Sequence, residues 1–288
     1  MGVPRGARDT LGKLPEKLLR RGKHLLAFPL RGRGLIFQTA RGFVFMKTLW
    51  QLLRSSLGRK YLMAATGLLL VGFVVVHMLG NLKAFSGADA LNHYAHLLKS
   101  RAWALWVFRA GLLAIALVHV GCGITLALEN RRARPQPYVR LKTIQASVAS
   151  LSMLGSGLVV GAFVLFHVLH LTVQVGGFQE YAKLKSPIAD APGILQALAP
   201  VEPGRSYPDV YEMIVHAFSV PWIVLVYLVG VGALGLHLSH GFQSVFQTLG
   251  WRSDAAGPFL TGLARVLALA IVLGMASVPA AVLCGFLR

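Results

Sequence analysis

The chain has 288 residues, of which 55% are hydrophobic and only 14% charged, and its mean hydropathy is +0.62. This composition excludes a soluble, highly charged protein and indicates an integral membrane protein. The net charge of +19 does not indicate a nucleic-acid partner, because no nucleic-acid-binding motif accompanies it, and two cysteines within apolar segments indicate no disulfide framework.

The N-terminal region is basic. Residues 1–60 contain fourteen Lys or Arg and two acidic residues, and their short apolar stretches do not resemble a secretory signal. We predict that residues 1–57 are a basic cytoplasmic extension, partly disordered or interfacial around Phe43–Leu53. Alternatively, this region is an upstream extension and translation starts at Met46. Residues 58–288 are predicted to be the membrane domain.

Five apolar segments are long enough to cross a bilayer, which requires about 20 residues each. They lie at about 61–82, 102–128, 146–175, 213–246 and 259–287. Backbone groups inside a bilayer must be hydrogen-bonded internally, so the prediction is an all-α, five-helix integral membrane protein. The fifth segment has no ligand-type residues. We therefore expect the first four helices to form a bundle with the fifth packed outside it.

The charge distribution predicts the orientation. The basic extension and the loop 129–142 fall on one side of an alternating five-helix topology, whereas the opposite loop 176–212 has mixed charge. The positive-inside rule then places the N-terminus in the cytoplasm, with the basic residues near anionic lipid headgroups. We expect a multi-pass protein of the bacterial cytoplasmic (inner) membrane. The connection 84–101 has the apolar spacing of a short amphipathic helix on the outer surface.

Four of the apolar segments each contain a histidine two or three turns from one end. These are His77, His119, His167 and His237. Ionisable residues within a bilayer are costly and rare, so each is a candidate functional residue. At a rise of about 1.5 Å per residue, alternating helix directions place His77 with His167 at an outer level and His119 with His237 at an inner level.

Two imidazoles at each level predict two metal macrocycles held by axial histidine pairs. Neutral imidazole is an axial ligand of haem iron, and no carboxylates or thiolates lie nearby to complete a tetrahedral zinc site. Intramembrane histidines also serve as hydrogen-bonded core residues or proton relays. His170 and His240 follow two of the candidates by three residues, and periodicity does not decide between the members of each pair. Arg109, near the outer level, is expected to pair with a haem propionate or to reach the interface.

These segments together resemble a known family. The matching stretches are GFVVVHMLGNLKAF, GADALNHYAHLL, LVHVGCGITLALENRRARPQPY, FVLFHVLH and VGVGALGLHLSHGFQSVFQTLG, which run from about Ser56 to the C-terminus. The chain resembles the single-chain, five-helix, di-haem cytochrome b subunit of succinate dehydrogenases and fumarate reductases. The resemblance implies that His77 and His167 ligate an outer haem b and that His119 and His237 ligate an inner one. It makes His170 and His240 neighbours of the ligands.

The resemblance also implies partners and a substrate. The partners are a flavoprotein subunit and a cytoplasmic iron–sulfur subunit, and the substrate is a membrane quinone, with menaquinone favoured. The chain would contribute haem electron transfer and a quinone site to a succinate:quinone oxidoreductase of the respiratory chain, but not the dicarboxylate site. Two alternatives stay open, a di-haem cytochrome b of another quinone-linked dehydrogenase or hydrogenase, and a non-haem transporter or proton-relay protein.

A quinone needs hydrogen-bond donors and a proton source. We place the quinone site at the outer level, because residues that can supply both lie at that level. The candidate residues come from the connection 84–101 and from the start of the fourth helix. They are His93, Tyr94, His96, Lys99, Glu212 and His216.

Overall fold

A computed structural model describes Gln51 and residues 54–133, 151–188 and 197–288. The seven α-helices in these residues are α1 (Ser56–Asn81), α2 (Ala88–Lys99), α3 (Ala102–Arg132), α4 (Met153–His167), α5 (Val210–Phe218), α6 (Pro221–Thr248) and α7 (Gly257–Leu283). Two short strands, β1 (Lys185–Pro187) and β2 (Ser206–Pro208), pair antiparallel. The predictions for most of the N-terminal extension and for loop residues 134–142 lie outside the described residues.

Five helices are long and apolar enough to cross a membrane: α1, α3, α4 with its continuation, α6 and α7. The predictions of an all-α, multi-pass membrane protein with five spanning helices are therefore confirmed. The helix predicted within the connection 84–101 is present as α2, after a short 3₁₀ turn at Leu82–Ser86.

Two of the predicted spanning segments are not single α-helices. α4 continues as a π-helix over Val168–Val173, ends at Gln174 in the left-handed conformation, and is followed by a 3₁₀ helix at Gly176–Lys183. The predicted fourth segment, 213–246, is two helices, because Pro221 has no N–H to continue the helix from α5 and instead begins α6 at its first turn. Glu212 and His216 therefore lie on α5, and not on the fourth spanning helix.

The first four spanning helices form a bundle. α1 packs against α3, α3 against α4, α4 against α6, and α6 against α1, so that α1 faces α4 and α3 faces α6 across the interior. α7 packs mainly on α6 and also on α1, where Gly274 lies against Met78. In a bundle of this kind, side chains on facing helices can build a cofactor site in the interior.

A small cap, formed by α2 and the start of α5, covers the end of the bundle that we predict to be outer. Asn92 on α2 is 2% exposed, and its side chain links the two helices of the cap. Its Oδ1 accepts hydrogen bonds from the backbone N–H groups of Val210 and Tyr211, and its Nδ2 donates to Asp209. Asp209 also caps α5 by accepting from the N–H of Glu212 at 2.9 Å. These bonds fix α2 against the start of α5.

The Asp209 carboxylate is held in its charged form by this network. Its partial burial acts to raise the pKa, but hydrogen bonds from the backbone of Glu212 and Tyr211 and from the side chains of Ser186 and Asn92 outweigh that effect. The pKa of Asp209 therefore lies below its usual value. The cap thus keeps an anion at the start of α5, where the helix dipole also stabilises negative charge.

The inner ends of α1 and α3 are joined by a second polar contact. Arg59 forms an ion pair with Glu129, and the hydroxyl of Ser56 donates to the same carboxylate at 3.3 Å. This contact ties the start of the first spanning helix to the end of the second.

Candidate functional site

The outer pair, His77 on α1 and His167 on α4, meets across the bundle interior. The ring centroids are 5.8 Å apart and the ring planes lie at 77° to each other. His77 stacks on Phe73 of its own helix with centroids 5.4 Å apart, and its Nε2 lies 3.4 Å from Nδ2 of Asn81. The two side chains that the depth calculation assigned to one level are therefore brought together, with one ring edge-on to the other.

The inner pair, His119 on α3 and His237 on α6, has the same arrangement on the other diagonal of the bundle. Its ring centroids are 6.4 Å apart, with the planes at 69°. The outer pair joins α1 with α4 and the inner pair joins α3 with α6. Each of the four bundle helices thus contributes one imidazole to a facing pair.

A hydroxyl group lies beside Nδ1 of each inner histidine. Thr66 Oγ1 is 3.2 Å from Nδ1 of His119, and Ser156 Oγ is 3.4 Å from Nδ1 of His237. Each hydroxyl has a single hydrogen, and donates it to its own helix: Thr66 to Leu62 at 2.6 Å and Ser156 to the carbonyl of residue 153 at 3.2 Å. When the hydroxyl keeps this bond it accepts from the imidazole, and in that arrangement the imidazole proton is on Nδ1 and Nε2 has a free lone pair.

A glycine follows each of these hydroxyl residues and lies against the same ring. A Cβ at Gly67 would be 3.2 Å from Cε1 of His119, and a Cβ at Gly157 would be 3.3 Å from Cε1 of His237. The glycines thus leave room for the histidine rings themselves. Gly230 and Gly235 have a different use. A side chain at Gly230 would overlap Phe163 and one at Gly235 would overlap Val272, so these glycines allow close packing between helices.

His170 lies beside the outer pair and is fully buried, with 0% exposure. The hydroxyl of Tyr227 on α6 is 3.2 Å from Nδ1 of His167 and 3.0 Å from Nδ1 of His170, so it connects the two rings. Nε2 of His170 is buried without a hydrogen-bond partner. The other residue that periodicity left undecided, His240, makes no hydrogen bond to the inner pair in the described structure.

No larger metal-binding group accompanies the histidine pairs in the part of the chain that the structure describes. Within the described ranges, no group of three or more His, Cys, Asp or Glu side chains is placed to hold a metal ion. The described residues therefore provide pairs of histidines but no three-ligand or four-ligand protein site of the kind that zinc uses.

Two positive charges lie together near the outer level. The guanidinium of Arg109 on α3 lies 5.2 Å from the ring centre of Trp106. The residue Lys99 is exposed as a whole, but desolvation around its ammonium group lowers the pKa of that group. The positive charge of Arg109 lowers the same pKa further. Neither cation has an ion-pair partner in the part of the chain that the structure describes. An anionic group would be stabilised between them.

The six quinone-site candidates occupy different parts of the cap. His93 is 3% exposed with both ring nitrogens unpartnered, so it is a buried residue and not a surface group as its sequence suggested. Tyr94 packs on Gly80, one turn beyond His77 on α1. His96 Nε2 lies 3.2 Å from the carbonyl of Pro200.

The remaining three candidates are more accessible. Glu212 and His216 form an ion pair on α5, with Oε1 and Nε2 at 3.1 Å, when the histidine is protonated. Lys99 is at the exposed end of α2. The structure thus brings α2 and α5 together, but it leaves Glu212 and His216 paired with each other and not with the α2 residues.

The sequence-based reasoning missed Thr66, Ser156 and Tyr227. A signal for two of them was present: a hydroxyl residue followed by glycine lies eleven residues before each outer histidine, at Thr66 before His77 and at Ser156 before His167. Eleven residues are three helical turns, so the hydroxyl lies on the same face as that histidine but at the other level, about 16 Å away. Tyr227 gave no comparable signal, since a tyrosine in an apolar helix has many uses.

Comparisons with known proteins do not extend the resemblance. No protein-family model, curated protein or solved structure matches the chain. Any functional assignment therefore depends on the geometry of the histidine pairs and their neighbours.

Proposed function

We propose that this chain is the membrane-anchor and electron-transfer subunit of a complex of the succinate dehydrogenase or fumarate reductase type, with two b-type haems. The observation that carries the proposal is the pair of facing imidazoles at each of two levels, one on each diagonal of the bundle. Isolated core histidines or a proton relay do not require this repeated arrangement.

The separation of the rings fits axial ligation of one metal by two imidazoles. Two metal–imidazole bonds of about 2.0–2.1 Å, with about 1.1 Å from each coordinating nitrogen to its ring centre, place the ring centres about 6.3 Å apart. The observed separations are 5.8 Å for the outer pair and 6.4 Å for the inner pair. The four-helix interior, with α1 opposite α4 and α3 opposite α6, is also where a planar macrocycle would lie.

The proton positions support the same role. Histidine ligands usually donate their second ring N–H to a nearby acceptor, which fixes the tautomer and orients the ring. Thr66 and Ser156 are positioned to accept from Nδ1 of the inner pair, and Tyr227 is positioned to accept from Nδ1 of His167. Asn81 lies near Nε2 of His77 on the same helix, at 3.4 Å, and would have to turn away for that nitrogen to bind a metal.

The chain's own residues would hold and separate the two groups. The outer pair would ligate one haem and the inner pair the other, with Arg109 near the outer level as the counter-ion of a propionate. Each haem, when bound, supplies one-electron transfer between a partner subunit and a membrane quinone. Two protein ligands on each iron leave no open coordination position, which suits electron transfer and not oxygen chemistry.

The inner ends of the helices supply a docking surface for the proposed iron–sulfur subunit, to which the flavoprotein would bind. Exposed basic side chains are present there, namely Lys60, Arg131, Arg132 and Arg252. With the N-terminus in the cytoplasm, this surface faces the cytoplasm and attracts an acidic partner and anionic lipid headgroups.

Haem content tests the proposal. The purified full-length chain is expected to contain about two haem b per polypeptide in a pyridine haemochrome assay, and to show the spectrum of low-spin, six-coordinate iron. A purified, folded chain without haem would contradict the proposal and favour a transport or proton-relay protein. Genes for a flavoprotein and an iron–sulfur protein beside this gene would distinguish the proposed complex from another quinone-linked dehydrogenase or hydrogenase.

The proposed quinone site lies in the outer cap near His77 and His167. Tyr94, which packs on Gly80 one turn beyond His77, would supply a hydroxyl, while His96, Lys99 and the Glu212–His216 pair would provide donors and protons. Buried His93 would support this wall of the cap.

We expect His96→Ala and Glu212→Gln each to lower quinone turnover of the reconstituted complex at least about tenfold, which is below the usual range for loss of a proton-transferring group. Haem content is expected to stay unchanged. Glu202→Gln is the matched control, because Glu202 forms a comparable exposed pair with Arg205. Wild-type turnover in both test variants would remove the site from this part of the cap.

A further inference from the structure

The hydroxyl of Tyr227 is shared between a candidate ligand and a buried neighbour. It contacts Nδ1 of His167 at 3.2 Å and Nδ1 of His170 at 3.0 Å. A tyrosine hydroxyl has one hydrogen, so it can donate to only one of these nitrogens and must accept from the other. The direction of this short chain therefore decides which nitrogen of His167 carries a proton.

We propose that Tyr227 and His170 are positioning residues that hold His167 in the tautomer able to bind iron. The proposal rests on the haem function given above. If Tyr227 donated to His167, the proton of that imidazole would be on Nε2 and the nitrogen could not ligate a metal. If Tyr227 instead donates to His170, His167 donates its Nδ1 proton to the tyrosine oxygen and keeps Nε2 free.

His170 can accept the tyrosine proton at Nδ1, and its other surroundings are apolar. It is fully buried, and aromatic rings surround it: Phe166 stacks on it with centroids 5.3 Å apart, and Phe178 lies against it at 4.2 Å. With Nδ1 accepting from Tyr227, the proton of His170 is on Nε2, which has no partner. A buried N–H without an acceptor is costly, so this tautomer requires that iron bound at Nε2 of His167 outweigh that cost.

The chain of two hydrogen bonds also strengthens the ligand. Donation of the tyrosine proton to His170 increases the electron density on the tyrosine oxygen, which makes it a better acceptor for His167. A stronger bond from Nδ1 makes the imidazole more basic and stabilises ferric iron over ferrous iron. Only the outer pair has this arrangement, since the inner histidines contact Ser156 and Thr66, whose protons go to the helix backbone.

Tyr227→Phe tests the inference, because it removes the hydroxyl and keeps the ring among Phe163, Phe218 and their neighbours. In the full-length haem-loaded chain, the outer haem is expected to dissociate about 10–100-fold more readily and its midpoint potential to rise. His170→Phe should raise the same potential by a smaller amount. The inner haem should be unchanged and reports that the variant is folded. Tyr181→Phe, which removes another hydroxyl beside His170, is the matched control.

The outcomes separate the two proposals. Wild-type protein without haem would contradict the haem function itself. Two haems in the wild type, with the outer haem's potential, affinity and electron paramagnetic resonance signal all unchanged in Tyr227→Phe, would overturn the positioning role and leave the haem function standing. A shift that affects both haems equally, or that occurs equally in Tyr181→Phe, would also overturn it, because it would report a general structural change.

Discussion

His119→Ala is expected to lose the inner haem and to keep the outer one, while His77→Ala is expected to lose the outer haem and keep the inner one. Each substitution removes one of the two protein ligands on a single iron, and the other level lies about 16 Å away along the helix. Haem content should fall from about two to about one per chain in either variant. Low-temperature absorption spectra of the reduced protein should lose a different component in each case.

The control for this experiment is His240, a histidine next to a proposed ligand. His240→Ala removes an imidazole one turn beyond His237 and is expected to keep both haems, because His240 makes no hydrogen bond with the inner pair in the described structure. Loss of one and the same haem in His77→Ala and His119→Ala would contradict the assignment of these residues to two levels. Loss of a haem in His240→Ala, with retention in His237→Ala, would move the inner ligand by one turn.

The sequence contained enough information to predict the spanning helices and the pairing of the histidines. Long apolar segments have few structural solutions in a bilayer, and helix rise converts a position in the segment into a depth. His77 and His167 therefore fell at one level before any packing was considered. Depth does not identify a bound group, so the proposal of haem depends on the ring separations, on the groups beside the ring nitrogens and on the proposed measurements.

Periodicity could not predict the parts of the site that depend on local departures from the α-helix. His170 lies in a π-helical segment, so the α-helical period of 3.6 residues does not give its direction. The predicted position of Glu212 on the fourth spanning helix was wrong for a similar reason. The apolar pattern continues across the break before Pro221, but the helix ends there. Contacts of Tyr227 with His167 and His170 join α6 to the end of α4, and such tertiary contacts have no local pattern.

Two neighbouring glycines of α4 differ in their relation to the inner histidines. Gly157 follows Ser156 and lies directly against His237, whereas Gly155, two residues earlier on α4, has no atom within 4 Å of the position of a Cβ. Two residues rotate a side chain by about 200° around a helix, so these glycines lie on opposite faces of α4. The pair provides a substitution and its control on the same helix.

Gly157→Leu is expected to eliminate the inner haem, and Gly155→Leu is expected to retain both haems. A Cβ at residue 157 would already be 3.3 Å from Cε1 of His237, so the larger side chain must displace the imidazole from its position opposite His119. Both substitutions replace glycine with leucine in one helix, so their effects on helix propensity, about 1 kcal/mol in favour of the helix, cancel in the comparison. Haemochrome content and reduced-minus-oxidised spectra of the two variants measure the difference. An intact inner haem in Gly157→Leu would show that His237 does not need its present position, and would remove it as the inner ligand.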